Sequence, residues 1–214
     1  MSWSQVVATP DEARAALAAP APDLGDALDL RAGADLDDAW AALGFVQLGP
    51  GELVRPLVVP LADLAATRAL GERLAATLRP GDLLVLSGPL GAGKTSLTQG
   101  LAAGLGVQGT VTSPTFVLAR RHRGPVPLLH VDAYRLRDAG ARALDIADLD
   151  LEDALEEGVV VVEWGDGLVE DLSASRLAVV LSRPDGGAEG EGGRTAKVTA
   201  YGPRWSSLPG PAAR

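Results

Sequence analysis

The sequence predicts an α/β fold: a mainly parallel sheet with helices on both faces and antiparallel strands closing it. Three observations carry that expectation. Fully apolar runs recur, above all Leu83-Leu84-Val85-Leu86 and Val159-Val160-Val161-Val162, and such runs suit strands buried on both faces. Helical patterns fall between them, as crossovers between parallel strands require. The first run leads straight into Gly88-Pro89-Leu90-Gly91-Ala92-Gly93-Lys94-Thr95, a glycine-rich turn that opens a helix through Ser96-Leu97-Thr98.

The elements follow in order. Residues 1–55 are rich in Ala, Pro and Asp and weakly periodic, and they read as an extension of uncertain order. Within it, residues 11–19 and 36–43 are short helix candidates and residues 44–48 a strand candidate. Leu57-Val58-Val59 is a β-like run, and a helix is expected from just after Pro60 to about Leu78, with Leu70, Leu74 and Leu78 on one face. Pro80-Gly81-Asp82 turns into the strand before the glycine loop, and the helix after the loop stops at Gly104 or Gly106. Phe116-Val117-Leu118 and residues 126–131 have β character. Residues 146–157 read as an acidic helix and residues 159–162 as the most β-committed strand. Residues 177–181 and 196–201 form a closing pair around a polar hairpin tip at 184–193, and a frayed tail is expected from Gly202. The domain reading is therefore an extension (1–55), an α/β domain (56–202) and a flexible tail (203–214).

The glycine loop fills every fixed slot of the phosphate-binding pattern G-x-x-x-x-G-K-S/T, between the strand and the helix that the pattern requires. The fold expected is thus of the phosphate-loop NTPase kind. Backbone N–H groups of Leu90, Gly91, Ala92 and Gly93, with Ser96 in the first turn, would face phosphates at the positive end of the helix. Lys94 would reach the β- and γ-phosphates, and the Thr95 hydroxyl would ligate Mg²⁺. The plainer reading, a turn that only joins strand to helix, leaves the match at four fixed positions and two flanking elements unexplained. Lysine occurs only at Lys94 and Lys197 in a chain whose other cations are Arg, which marks Lys94 as a position needing a compact charge.

A phosphate loop also needs acids at strand ends. The run Leu128-Leu129-His130-Val131-Asp132 delivers Asp132, and residues 159–162 deliver Glu163, both at carboxyl ends that would face the ligand crevice. Either acid taken singly is also compatible with a turn cap. Thr115, in Ser113-Pro114-Thr115-Phe116, is a candidate nucleotide sensor whose alternative is an ordinary Ser-Pro turn. Arg135 is placed to meet phosphate or to pair with a nearby acid. Trp164 is placed to wall a pocket or to join the core, and His130, inside an apolar strand, reads as buried and structural. Arg120, Arg121 and Arg123 read as a solvated basic edge.

Composition bounds the function. The 214 residues are 47% hydrophobic, enough for one full α/β domain and an extension. A formal net charge of −9 argues against direct binding to a nucleic-acid backbone. The absence of cysteine excludes disulfides, thiolate metal sites and a cysteine nucleophile. No signal-peptide pattern or membrane-length apolar run is present, so a cytoplasmic protein without membrane attachment is expected.

Taken together, the phosphate loop, Ser113-Pro114-Thr115-Phe116, His130-Val131-Asp132-Ala133-Tyr134-Arg135-Leu136 and Val162-Glu163-Trp164 resemble the TsaE (YjeE) family, in order, over about residues 57–201. The resemblance implies an ATP-binding protein of tRNA threonylcarbamoyladenosine synthesis that acts with TsaB and TsaD. In that system TsaD modifies adenosine 37 of the tRNA, and TsaE-type ATP hydrolysis permits repeated cycles. It implies phosphate binding by Lys94, Mg²⁺ service by Thr95 and Glu163, and switch and catalytic roles for Thr115 and Asp132. The tRNA would be gripped by the partners, with this chain a monomer when alone. Residues 1–55 lie outside the family pattern, and residues 143–148 depart from the Glu-rich stretch usual there. The alternative functions are a small-molecule kinase, for which residues 120–123 are the one candidate lid, and an ATP-dependent regulator.

Overall fold

A computed structural model describes residues 4–18, 29–34, 36–42, 45–50, 52–138, 149–183 and 194–205. The extension contains regular structure. Strands β1 (Ser4–Val6), β2 (Asp29–Ala32), β3 (Val46–Gly49) and β4 (Glu52–Arg55) form a four-stranded sheet in the order β1-β2-β4-β3. Helix α1 (Pro10–Ala18) follows β1. Pro10 opens it, the Thr9 hydroxyl accepts from the Glu12 N–H at 3.2 Å, and the Glu12 carboxylate accepts from the Ala8 N–H at 2.8 Å. That is half of a capping box, with the Glu12 carboxylate reaching one residue past the N-cap, and proline at the first helical position. Helix α2 (Asp38–Ala42) precedes β3. Val7, Ala13, Ala32, Phe45 and Leu53 are buried together as a small separate core.

The larger sheet has seven strands. They are β5 (Leu57–Leu61), β6 (Leu83–Ser87), β7 (Ala119–His122), β8 (Leu128–Asp132), β9 (Val159–Glu163), β10 (Arg176–Ser182) and β11 (Arg194–Tyr201), in the order β5-β11-β10-β6-β9-β8-β7. Strands β10, β6, β9 and β8 are mutually parallel. β11 runs antiparallel to β10 and β5, and β7 antiparallel to β8. The expected parallel centre and antiparallel closing pair are both present, and β10 joins the two by pairing β6 in the parallel sense.

Alternation along β6 and β9 divides the core. Leu84, Leu86, Val159 and Val161 are buried with Leu70 and Leu74 of α3 (Leu64–Ala75) and with Leu97 and Leu101 of α4 (Lys94–Gly104). The intervening Leu83, Val85, Val160 and Val162 are buried with Leu136 of α5 (Tyr134–Asp138), and with Leu151, Ala154 and Leu155 of α6 (Leu151–Glu157). A strand whose two faces are both apolar can only sit between two helical layers.

Some boundaries differ from expectation for physical reasons. β5 runs through Pro60 to Leu61 and α3 starts only at Leu64, where the Asp63 side chain accepts from the Ala66 N–H at 2.7 Å. Proline fits that strand because β5 is an edge. Phe116-Val117-Leu118 is not a strand. It forms a turn in which Val117 N–H donates to the Pro114 carbonyl and Leu118 adopts φ 63°, and β7 follows it. The acidic helix occupies Leu151–Glu157, while residues 146–148 and the hairpin tip 184–193 lie outside the described residues. The start of the expected frayed tail is anchored. Trp205 is buried in the main core, and Arg204 pairs with the Asp82 carboxylate at 3.2 Å. Burial raises the Asp82 carboxyl above its ordinary value, opposed by the Arg79 N–H and by Arg204.

Helices α3 and α4 approach closely at glycine. A Cβ on Gly100 would lie 2.0 Å from the Arg68 carbonyl oxygen. Gly100→Ala raises helix propensity, yet it is expected to destabilise the fold by about 1–3 kcal/mol through overpacking. An unchanged denaturant midpoint would contradict the close helix contact.

Candidate functional site

The phosphate loop joins β6 to α4. Gly88 has φ 135°, and a Cβ there would sit 2.1 Å from the Leu181 carbonyl oxygen, so only glycine lets the loop leave β6 beside β10. Gly93 is the N-cap of α4 and supplies no capping side chain, which leaves the first N–H groups of the helix open to an anion. Lys94 begins the helix and is only 5% exposed. Its ammonium donates to the carbonyls of Gly88 at 2.7 Å and Pro89 at 3.0 Å, and sits 3.7 Å from the centre of the Trp164 ring. Burial pulls the Lys94 ammonium below its ordinary value, and the carboxylates of Glu163, Asp132 and Asp166 oppose that shift. The cation is thus held in a dry place by main-chain carbonyls.

The acids expected at strand ends lie side by side, because β8 and β9 pair with Asp132 opposite Glu163. Both are buried. Glu163 accepts from the Thr95 hydroxyl, whose oxygen is 2.9 and 3.2 Å from the two carboxylate oxygens, and it lies 2.8 Å from His130 Nε2. Asp132 accepts from Ser113 at 2.9 Å and Thr115 at 2.5 Å through one oxygen, and from the Tyr134 N–H at 3.1 Å through the other. Trp164 follows Glu163 with φ 63°, a conformation costly for a bulky residue and typical of strained functional positions. Its ring packs against Tyr134, with centroids 5.2 Å apart, while also lying under the Lys94 ammonium.

Most of the candidate residues meet around one cavity of about 400 Å³, within the range of small-molecule sites. Leu90, Gly91, Gly93, Lys94, Thr95, Ser96, Thr115, Asp132, Glu163 and Trp164 all line it. Ala92 does not; it is buried beneath the loop, where its N–H donates to the Pro89 carbonyl at 3.2 Å. Arg135 does not either, since its guanidinium lies over the Phe116 ring at 4.9 Å. Ser113, to which the sequence assigns no role, lines the cavity and donates to Asp132. His130, read as buried and structural, is fully buried and touches Glu163. Strand parity foreshadows this, because residues two apart on β8 share a face with Asp132.

The donor set fits Mg²⁺. No group of three or more His, Cys, Asp or Glu side chains placed to hold a metal occurs among the described residues. Mg²⁺ needs no such cage when phosphate oxygens and waters complete its shell, and a hydroxyl beside one or two carboxylates is its usual protein share. Thr95 and Glu163, already in contact, would provide that share.

A family model described as "Threonylcarbamoyl adenosine biosynthesis protein TsaE" matches residues 61–189. The chain belongs to the TsaE family. A Streptomyces coelicolor TsaE, named as a tRNA threonylcarbamoyladenosine biosynthesis protein, is 54% identical over 145 residues, which cover 65% of this chain and 94% of that protein. The TsaE of Bacillus subtilis is 39% identical over 144 residues, covering 66% and 84%. Among solved structures, Bacillus subtilis YdiB superposes with a TM-score of 0.56 at 34% identity, over 70% of this chain and 88% of its own. The phosphate-loop NTPase-like fold is shared, and the TsaE match begins at Leu61, after the four-stranded sheet.

Proposed function

We propose that this chain is an ATPase of tRNA threonylcarbamoyladenosine biosynthesis, binding Mg²⁺-ATP and hydrolysing its γ-phosphate in concert with TsaB and TsaD. The observation that carries the reading is the meeting of Thr95, from the phosphate loop, with Glu163, from the neighbouring parallel strand, beside the Lys94 ammonium. The names of the relatives supply the pathway. Their partners enter through the resemblance of the motifs.

Each residue has a part that follows from its present contacts. Lys94 exchanges the Gly88 and Pro89 carbonyls for phosphate oxygens. Thr95 and Glu163 would hold Mg²⁺, which when bound neutralises charge developing on the β- and γ-oxygens. Asp132 is the candidate for orienting the attacking water and taking its proton. Its oxygens now accept from Ser113, Thr115 and Tyr134. The Ser113–Thr115 segment must therefore loosen for Asp132 to receive water, which gives Thr115 a natural role as a nucleotide-responsive switch. With a net charge of −9, contact with tRNA is assigned to the partners.

Nucleotide titration tests the metal pair. Glu163→Ala is expected to weaken ATP binding at least about tenfold in Mg²⁺ and much less in excess chelator, because it removes a ligand that acts only through the ion. Equal weakening with and without Mg²⁺ would demote Glu163 to a residue that merely positions Thr95 and His130.

A further inference from the structure

Strand β8 is apolar up to Asp132 except at His130, which is fully buried. A buried imidazole carries a desolvation cost that Leu or Val would avoid, so its polar contacts are what set it apart from a packing residue. His130 Nε2 lies 2.8 Å from Glu163 Oε1, while Nδ1 is buried without a hydrogen-bond partner among the described residues. The ring of His122 on β7, 6.5 Å away between centroids, supplies none, and its own Nε2 is equally unpartnered. Facing a carboxylate, Nε2 is the nitrogen that carries the hydrogen and donates. Strand register makes this contact. β8 and β9 pair with His130 opposite Val161 and Asp132 opposite Glu163. His130 and Glu163 are therefore diagonal neighbours, on the sheet face where Val161 packs with Leu97 and Leu101 of α4.

We propose that His130 is a positioning residue for Glu163, holding its carboxylate in the orientation that serves Mg²⁺ together with Thr95. The proposal rests on the Mg²⁺-ATP reading above and gives a residue read as structural a part in metal binding. The two carboxylate oxygens are not equivalent. Oε1 is engaged by His130 at 2.8 Å and by Thr95 at 2.9 Å, whereas Oε2 has only the longer Thr95 contact at 3.2 Å. Tying down Oε1 from β8 leaves Oε2 as the less engaged oxygen, available to the ion or to a water of its shell. An unsupported Glu side chain would lose rotamer freedom when it met the ion. With the imidazole behind it, that loss falls on folding, and the acid is already aligned when Mg²⁺-ATP arrives.

The test is calorimetric titration of the full chain with ATP, in Mg²⁺ and in excess chelator. His130→Leu and His130→Phe remove the donor, and His130→Gln restores an N–H close to the position of Nε2. The expected result is that both donor-free variants lose about tenfold in ATP affinity in Mg²⁺ and stay within about twofold of wild type in chelator, while His130→Gln recovers most of the loss. In a Glu163→Ala background the same His130 substitutions should change affinity by less than about twofold, because the residue acts only through that carboxylate. Equal losses with and without Mg²⁺ would make His130 structural and overturn the proposal. So would unchanged affinity in the donor-free variants, or a loss that persists without Glu163. A wild type that binds ATP no more tightly with Mg²⁺ than without it would instead remove the metal reading itself, a distinct result. Two donor-free variants of different shape guard against one that fails to fold.

Discussion

Replacing Lys94 by methionine is expected to cost at least about a hundredfold in ATP affinity while leaving the unliganded fold no less stable. The first half follows from the loss of a buried cation at the point where the proposed function puts the triphosphate. The second follows from its environment. Burial depresses the Lys94 value, so the unfolded chain binds the proton more tightly than the folded one. Stability from this group therefore rises with pH between the depressed value and the ordinary 10.5, and at neutral pH its charge is a cost to the fold. Methionine keeps the stem against Trp164 and removes that cost. Calorimetric titration and thermal unfolding of one preparation check both halves. Unchanged ATP affinity would remove the phosphate-loop assignment, and a large loss of stability would make Lys94 structural.

Asp132→Asn should behave in the opposite way, keeping ATP binding and losing turnover by about 10²–10⁴-fold. Asparagine preserves the size of the side chain and can still accept from Thr115 and the Tyr134 N–H. It cannot take a proton from water. Single-turnover hydrolysis alongside equilibrium binding separates the effects. A variant with normal kcat and weakened binding would place Asp132 among the nucleotide-holding groups and leave the catalytic base to be found elsewhere.

What the sequence made legible follows the strength of its physical signals. β6 and β9 are short runs of Leu and Val because both faces are buried, and their alternation sorts residues between two helical layers. Asp132 and Glu163 stand out because an acid that ends such a run has one place to go, the crevice at the carboxyl edge. β7 left no such mark. It reads Ala-Arg-Arg-His, because an edge strand needs only one paired side and charge protects the other. The apolar triplet before it misleads, since Phe116 is 85% exposed and Leu118 turns the chain at positive φ.

Tertiary contacts explain the remaining gaps. Nothing local in Arg204 or Trp205 announces that one meets Asp82 and the other enters the core. The four-stranded sheet was hidden because β1, β2 and β4 are only three or four residues long, too short for a periodicity to emerge. Arg135 sits in one of the motifs that carry the family resemblance, yet it faces Phe116.

Hydrolysis of Mg²⁺-ATP by the purified full chain, alone and with a TsaB–TsaD pair and tRNA, tests the central claim most directly. The account predicts slow turnover that rises when the pair is added, requires Mg²⁺ and disappears in Lys94→Met, together with repeated cycles of adenosine modification. Turnover that ignores both the pair and the Lys94 substitution would contradict it.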